Sequence, residues 1–223
     1  MATPQYSVLS GAQSAISANK VLKNTYMLLS ATLAFSAVMA LVSMTLALPS
    51  WMYLVSVIGA MVLGMFVLPR TADSSAGIGV IFGITGLLGL GLGSILTMYM
   101  ALPRGPEIIA TAFAGTGLIF LGLSGYALTS KKDFSFMGGF LMVGILVAFL
   151  AGLAAIFFEI PALSLTVSAA FVLLMSGLIL YETSNIIHGG ETNYVLATVT
   201  LFVSLFNLFT SLLHLLGFMS GDD

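Results

Sequence analysis

The chain contains no cysteine, so disulfides and thiolate metal sites are excluded. Charge is almost as scarce. Only 6% of its 223 residues are Asp, Glu, Lys or Arg, against 59% hydrophobic, and the net charge is −2. No basic run exists, which excludes a nucleic-acid partner, and a composition this apolar excludes a soluble fold. There is one tryptophan, Trp51, and polar stretches long enough to fold alone are missing. What the sequence has instead is apolar runs. A hydrocarbon core of about 30 Å needs about 20 apolar residues per helical crossing, and seven such runs fit between Thr25 and Phe218.

The spacing predicts spans at 25–48, 51–69, 77–101, 107–129, 135–158, 162–187 and 194–217, broken at short segments marked by Pro, Gly and charge. The fold class is therefore an all-α integral membrane protein with seven transmembrane helices. Three regions are expected: a flexible tail at 1–19, a seven-helix domain at 20–218 and a short acidic tail at 219–223. The first charged residue is Lys20 and no apolar core precedes it, so a cleavable signal is not expected. With the N-terminus inside, Lys20, Lys23, Arg70, Lys131 and Lys132 are cytoplasmic and only Arg104 is outside. That bias gives a cytoplasmic N-terminus and an outer C-terminus. Trp51 then anchors the outer start of the second helix.

The third span is rich in glycine. Gly79 with Gly83, and Gly89 with Gly93, have the spacing that lets membrane helices approach closely. This helix is expected to be a packing helix.

Gly122-Leu123-Ser124-Gly125 and His214 with Gly217 and Gly221 resemble the motif pair of rhomboid intramembrane serine proteases. A Ser–His dyad needs both groups in hydrogen-bond reach. In the topology above Ser124 lies near the cytoplasmic end and His214 near the outer end, an axial gap of more than about 20 Å at 1.5 Å rise per residue. The chain is not expected to be an enzyme, and His214 is read as an interhelical hydrogen-bonding residue.

Sorting the charges by depth leaves Glu182 as the one ionisable acid inside a span, about 7 Å from the cytoplasmic boundary. An ionisable group at such a depth is a candidate functional residue. Asn185 shares its helical face at i+3. The last span offers Ser204, Asn207, Ser211 and His214 on or near one stripe, with Asn207 expected to hydrogen-bond across helices. Glu182, Asn185, Ser204 and Asn207 thus form a candidate ion path or proton-sensitive latch. One carboxylate with neutral oxygens would bind Ca²⁺ weakly, since that ion takes six to eight oxygens. No metal site and no cofactor are expected.

Three stretches carry a family resemblance: Asn19-Lys20-Val21-Leu22-Lys23-Asn24-Thr25-Tyr26; Tyr126 through Lys131-Lys132-Asp133-Phe134 to Gly138-Gly139; and Tyr181-Glu182-Thr183-Ser184-Asn185-Ile186-Ile187-His188-Gly189-Gly190-Glu191-Thr192-Asn193-Tyr194. Together they resemble the bacterial branch of the Bax inhibitor (transmembrane Bax inhibitor motif) family. The resemblance implies six helices surrounding a central last helix. It also implies two functional pictures. One is a modulator of the membrane-anchored ATP-dependent protease FtsH, acting as a substrate-like inhibitor through a cytoplasmic N-terminal tail. The other is a pH-sensitive calcium leak gated by a pair of acids on helices six and seven. By position those acids fall on Glu182 and Ser204, so half of the pair is missing and the coupled titration of two carboxylates is lost. The expected function is protease modulation, with the leak as the alternative. The expected partners are membrane lipid, an FtsH-type protease complex and, on the alternative, Ca²⁺.

Overall fold

A computed structural model describes the backbone over residues 5–220 and the side chains from Ser17 onward. Seven helices are long and apolar enough to cross a membrane. In hydrocarbon every backbone polar group must be satisfied within the protein, and a helix does this within one segment. We number them α1 (Gln5–Thr45, with its spanning part from Ser17), α2 (Trp51–Thr71), α3 (Ser75–Met100), α4 (Gly105–Ser130), α5 (Gly138–Phe157), α6 (Pro161–Ile187) and α7 (Tyr194–Met219).

The ends follow local chemistry. Pro106 and Pro161 sit in the first turns of α4 and α6, where a missing N–H costs nothing. Asn193 caps α7, its Oδ1 accepting from the N–H groups of Val195 at 2.9 Å and Leu196 at 3.3 Å. Lys131 and Gly189 take left-handed backbone just past the ends of α4 and α6. Several buried hydroxyls return to the preceding turn, as Thr116 does to the Ala112 carbonyl at 2.8 Å.

Two boundaries differ from the expected ones. The second helix does not stop at Pro69 but continues to Thr71, because a π-helical stretch at Leu63–Val67 widens the turn ahead of the proline. That absorbs the clash between the Pro69 ring and the carbonyl four residues earlier. The first helix begins at Gln5, so most of the segment expected as a loose tail has helical backbone. Ser, Ala and Gln dominate there, and extending a helix already nucleated by a membrane span needs no second nucleus. Residues 1–4 of that tail, and Gly221 to Asp223 of the acidic tail, lie outside the described residues.

The last helix is the most buried, with 61% of its apolar window covered, and α3 follows at 50%. The main neighbours of α7 are α1, α3, α4 and α6, while α2 packs chiefly on α3 and α5 on α6. The core gathers on α7 from Leu201 to Leu208, meeting Ile84 and Leu88 of α3, Leu29 of α1 and Ile179 of α6. Along the seam between α1 and α3, a side chain at Gly89 would collide with the Ser36 carbonyl and one at Gly93 with that of Ala40. Close helix approach there requires glycine. The pair Gly79 and Gly83 behaves otherwise. Gly79 faces open space and Gly83 has only the tip of Leu63 in ordinary contact, so this pair is no packing motif.

The loops divide cleanly between two ends. Asn193 donates to Asp73 at 2.8 Å, and a ring nitrogen of His188 lies 3.1 Å from the Lys131 carbonyl, which ties the α2–α3, α4–α5 and α6–α7 connections together. Thr198 near the start of α7 lies 3.3 Å from the Thr25 carbonyl, placing the start of the first span at the same end. Lys20, Lys23, Arg70, Lys131 and Lys132 therefore share one end and Arg104 sits at the other. This five-to-one split is the one on which the expected cytoplasmic N-terminus rests, through the positive-inside rule.

Candidate functional site

The last turns of α6 form the busiest polar junction in the described chain. Thr183, fully buried, has its hydroxyl 3.5 Å from Ser124 of α4 and 3.4 Å from Tyr26 of α1. Ser184 accepts from the Phe134 N–H at 3.0 Å and donates to the Lys132 carbonyl at 3.1 Å, stapling α6 to the α4–α5 loop. His188 places Nδ1 2.8 Å from the Ser184 carbonyl and Nε2 3.1 Å from that of Lys131. Both partners are acceptors, so both contacts are hydrogen bonds only when both ring nitrogens carry protons. Beyond the helix, Gly190 and Glu191 return their N–H groups to the Asn185 carbonyl at 2.9 and 3.3 Å.

Asp133 completes the junction. Its Oδ1 accepts from the Ser135 N–H at 2.8 Å and starts the short 3-10 turn that leads into α5. Its carboxyl is held below the usual carboxylate range, first by that backbone hydrogen bond, then by the Ser135 hydroxyl, with a smaller pull from His188.

Glu182 sits inside this junction and shares none of its bonds. It is 5% exposed and its Oε1 has no hydrogen-bond partner. A buried polar atom without a partner is uncommon and costly. The other candidates do not gather round it. Ser204, fully buried on α7, donates to its own helix at the Thr200 carbonyl, 2.7 Å away. Asn207 donates to the Val203 carbonyl at 2.8 Å, so the expected bond across helices is replaced by one within α7. The Asn185 side-chain oxygen lies against Gly190. No hydrogen bond joins any two of Glu182, Asn185, Ser204 and Asn207. Among the described residues, no three His, Asp or Glu side chains come together.

The rhomboid-like pair is also apart. Ser124 meets Thr183 near the end of α6, whereas His214 bonds to Ser168 near its start, at 2.8 Å. These contacts are separated by about 22 Å along α6 at 1.5 Å per residue. His214 is thus the interhelical residue that the sequence suggests, and the dyad does not form.

Thr183 and Ser184 in this junction, and the Asp73–Asn193 pair at the same end, are among the residues that the sequence did not single out. A Thr-Ser pair beside an intramembrane acid was the available signal.

The model of the family described as Inhibitor of apoptosis-promoting Bax1 matches residues 18–221. The chain belongs to the Bax inhibitor family. Within it, the chain is 52% identical over 209 residues to the Modulator of FtsH protease YccA of Escherichia coli K12, covering 94% of each chain. An uncharacterized membrane protein of Vibrio cholerae is 44% identical over the whole of both chains, and an uncharacterized protein of Pseudomonas aeruginosa 46%. The Bax inhibitor match takes in all seven helices and the α6 junction. It begins beside Ser17, where the spanning part of α1 starts.

Proposed function

We propose that this protein is a non-enzymatic regulator in the bacterial inner membrane that modulates an FtsH-type ATP-dependent protease. The similarity to the Escherichia coli modulator, which covers 94% of each chain at 52% identity, carries this reading. The N-terminal segment before Ser17 is the handle. It precedes the family match and from Gln5 forms the first turns of α1, so a pull applied there loads α1 first. That helix packs against α3, α6 and α7. A chain that can be gripped but resists extraction occupies an unfolding protease and slows it.

The test is affinity purification from native membranes of the full chain and of a variant lacking residues 2–19. The full chain is expected to bring down the protease, and the variant to insert normally while losing it. Equal recovery of the protease by both would remove the handle, and no recovery by either would remove the reading.

A second reading, a pH-sensitive Ca²⁺ leak, is favoured by one observation, the unpartnered Oε1 of buried Glu182. Ser204 stands where the second acid would be needed. pH-dependent Ca²⁺ flux into liposomes holding this protein alone, lost in Glu182→Gln, would promote this reading above the first.

A further inference from the structure

Near the Arg104 end, α1 and α4 diverge. They meet at the other end of this gap, where Tyr26 and Phe120 bring their rings to 5.9 Å. Above that contact a cavity of about 630 Å³ opens between the two helices. Its walls run from Leu33 to Met44 on α1 and from Pro106 to Phe120 on α4. Its floor is α7, through Phe202, Phe206 and Phe209, each 9% exposed or less. Leu41 and Phe113 at the rim are widely exposed, so the cavity opens sideways toward lipid.

We propose that this groove binds one acyl chain of a phospholipid from the leaflet at the Arg104 end. Three properties select that occupant. The lining holds no charged side chain and only two hydroxyls; Thr116 donates to its own helix and Ser36 lies against Gly89. A water or ion would need two to four polar partners, so the groove is not an aqueous path. Its depth is that of one leaflet. From Leu33 to Met44 is about 16 Å at 1.5 Å per residue, roughly half of a 30 Å hydrocarbon core. A partner helix crossing the whole membrane would run into the Tyr26–Phe120 contact, whereas an acyl chain ends there.

The mouth supplies the third property. Pro106 lines it, and Arg104 and Glu107 flank that proline, joined by two hydrogen bonds of 3.0 and 2.9 Å. Arg104 is the one cation of the chain's six placed at this end. A guanidinium beside a carboxylate at headgroup depth is complementary to the phosphate and ammonium of a zwitterionic headgroup.

The test uses the full chain in vesicles of phosphatidylethanolamine and phosphatidylglycerol. A trace of phosphatidylethanolamine carries a diazirine midway along one acyl chain. After illumination, labelled residues are mapped by peptide mass spectrometry. The expected result is labelling of Phe202, Phe206 or Phe209, which lipid around the bundle cannot reach, at or above the level on exposed Phe140 and Met142. Gly117 lines the groove, and a side chain added there meets nothing within 4 Å. Gly117→Phe should fill the space and reduce floor labelling several-fold. Gly122→Phe, on the same helix, also meets nothing within 4 Å and lies outside the groove, so it should leave labelling unchanged. Ala110→Phe, on the same wall nearer the mouth, serves if Gly117→Phe does not fold. Labelling confined to the outer faces, or floor labelling that survives both plugging variants, overturns the proposal. A fall in oligomeric mass on plugging would assign the groove to a second copy of the chain instead.

Discussion

Asp133 shows how much a single exposed carboxylate can organise when its partner is the backbone. The Ser135 N–H that it accepts belongs to the first turn after the α4–α5 loop, and the same loop is pinned to α6 by Ser184 and His188. Its folded value lies below the unfolded one of about 3.9. The contribution to loop order is therefore complete above that unfolded value and lost as pH falls through the depressed folded value. The Ser135 amide shift, followed by NMR from neutral pH into acid, should titrate in the wild type below the usual carboxylate range. In Asp133→Asn it should stay flat over the same window. A wild-type midpoint at or above the free-carboxylate value would show that the hydrogen bond does not hold in solution. Glu182 contrasts with Asp133 in every respect. It stood out in the sequence because a lone charge in an apolar run is conspicuous. Ser184 did not, because a helical serine has many available acceptors and only the folded chain brings the Phe134 N–H to it.

At the scale of helices, spacing and facing are separate facts. Gly79/Gly83 and Gly89/Gly93 have the same period, yet only the second pair lies under a neighbouring backbone. Periodicity shows that residues share a face and does not show what that face meets. Gly89→Ala should lower stability by about 1–3 kcal/mol through overpacking against Ser36. Gly79→Ala should be neutral or gain up to about 1 kcal/mol from helix propensity. Thermal unfolding in one detergent compares the two directly, and equal losses would contradict the seam. The same distinction explains the boundaries. Runs of apolar residues made all seven spans legible, since lipid imposes their length. Pro69 misled because a proline normally ends a helix, and the π-helical stretch that accommodates it leaves no mark in composition. The apolar groove was equally hidden. Its lining is distributed over four helices and reads, residue by residue, as ordinary core.

The whole molecule joins these scales through α1. This helix carries the N-terminal segment, forms the glycine seam with α3 and makes one wall of the lateral groove. If the protein slows its protease by resisting extraction, resistance must depend on how firmly α1 is held, independently of how well the N-terminus is gripped. Gly89→Ala separates the two, because it weakens the seam and leaves residues 1–16 untouched. In cells with the protease present, the wild type should be long-lived and should slow degradation of a second membrane substrate. Gly89→Ala should become short-lived and lose that effect, turning an inhibitor into a substrate. The variant lacking residues 2–19 should be long-lived and also without effect, because it is never engaged. Pulse-chase lifetimes of each variant and of the second substrate distinguish these outcomes. A destabilised Gly89→Ala that still inhibits as fully as the wild type would mean that regulation works through binding at a surface, with extraction playing no part.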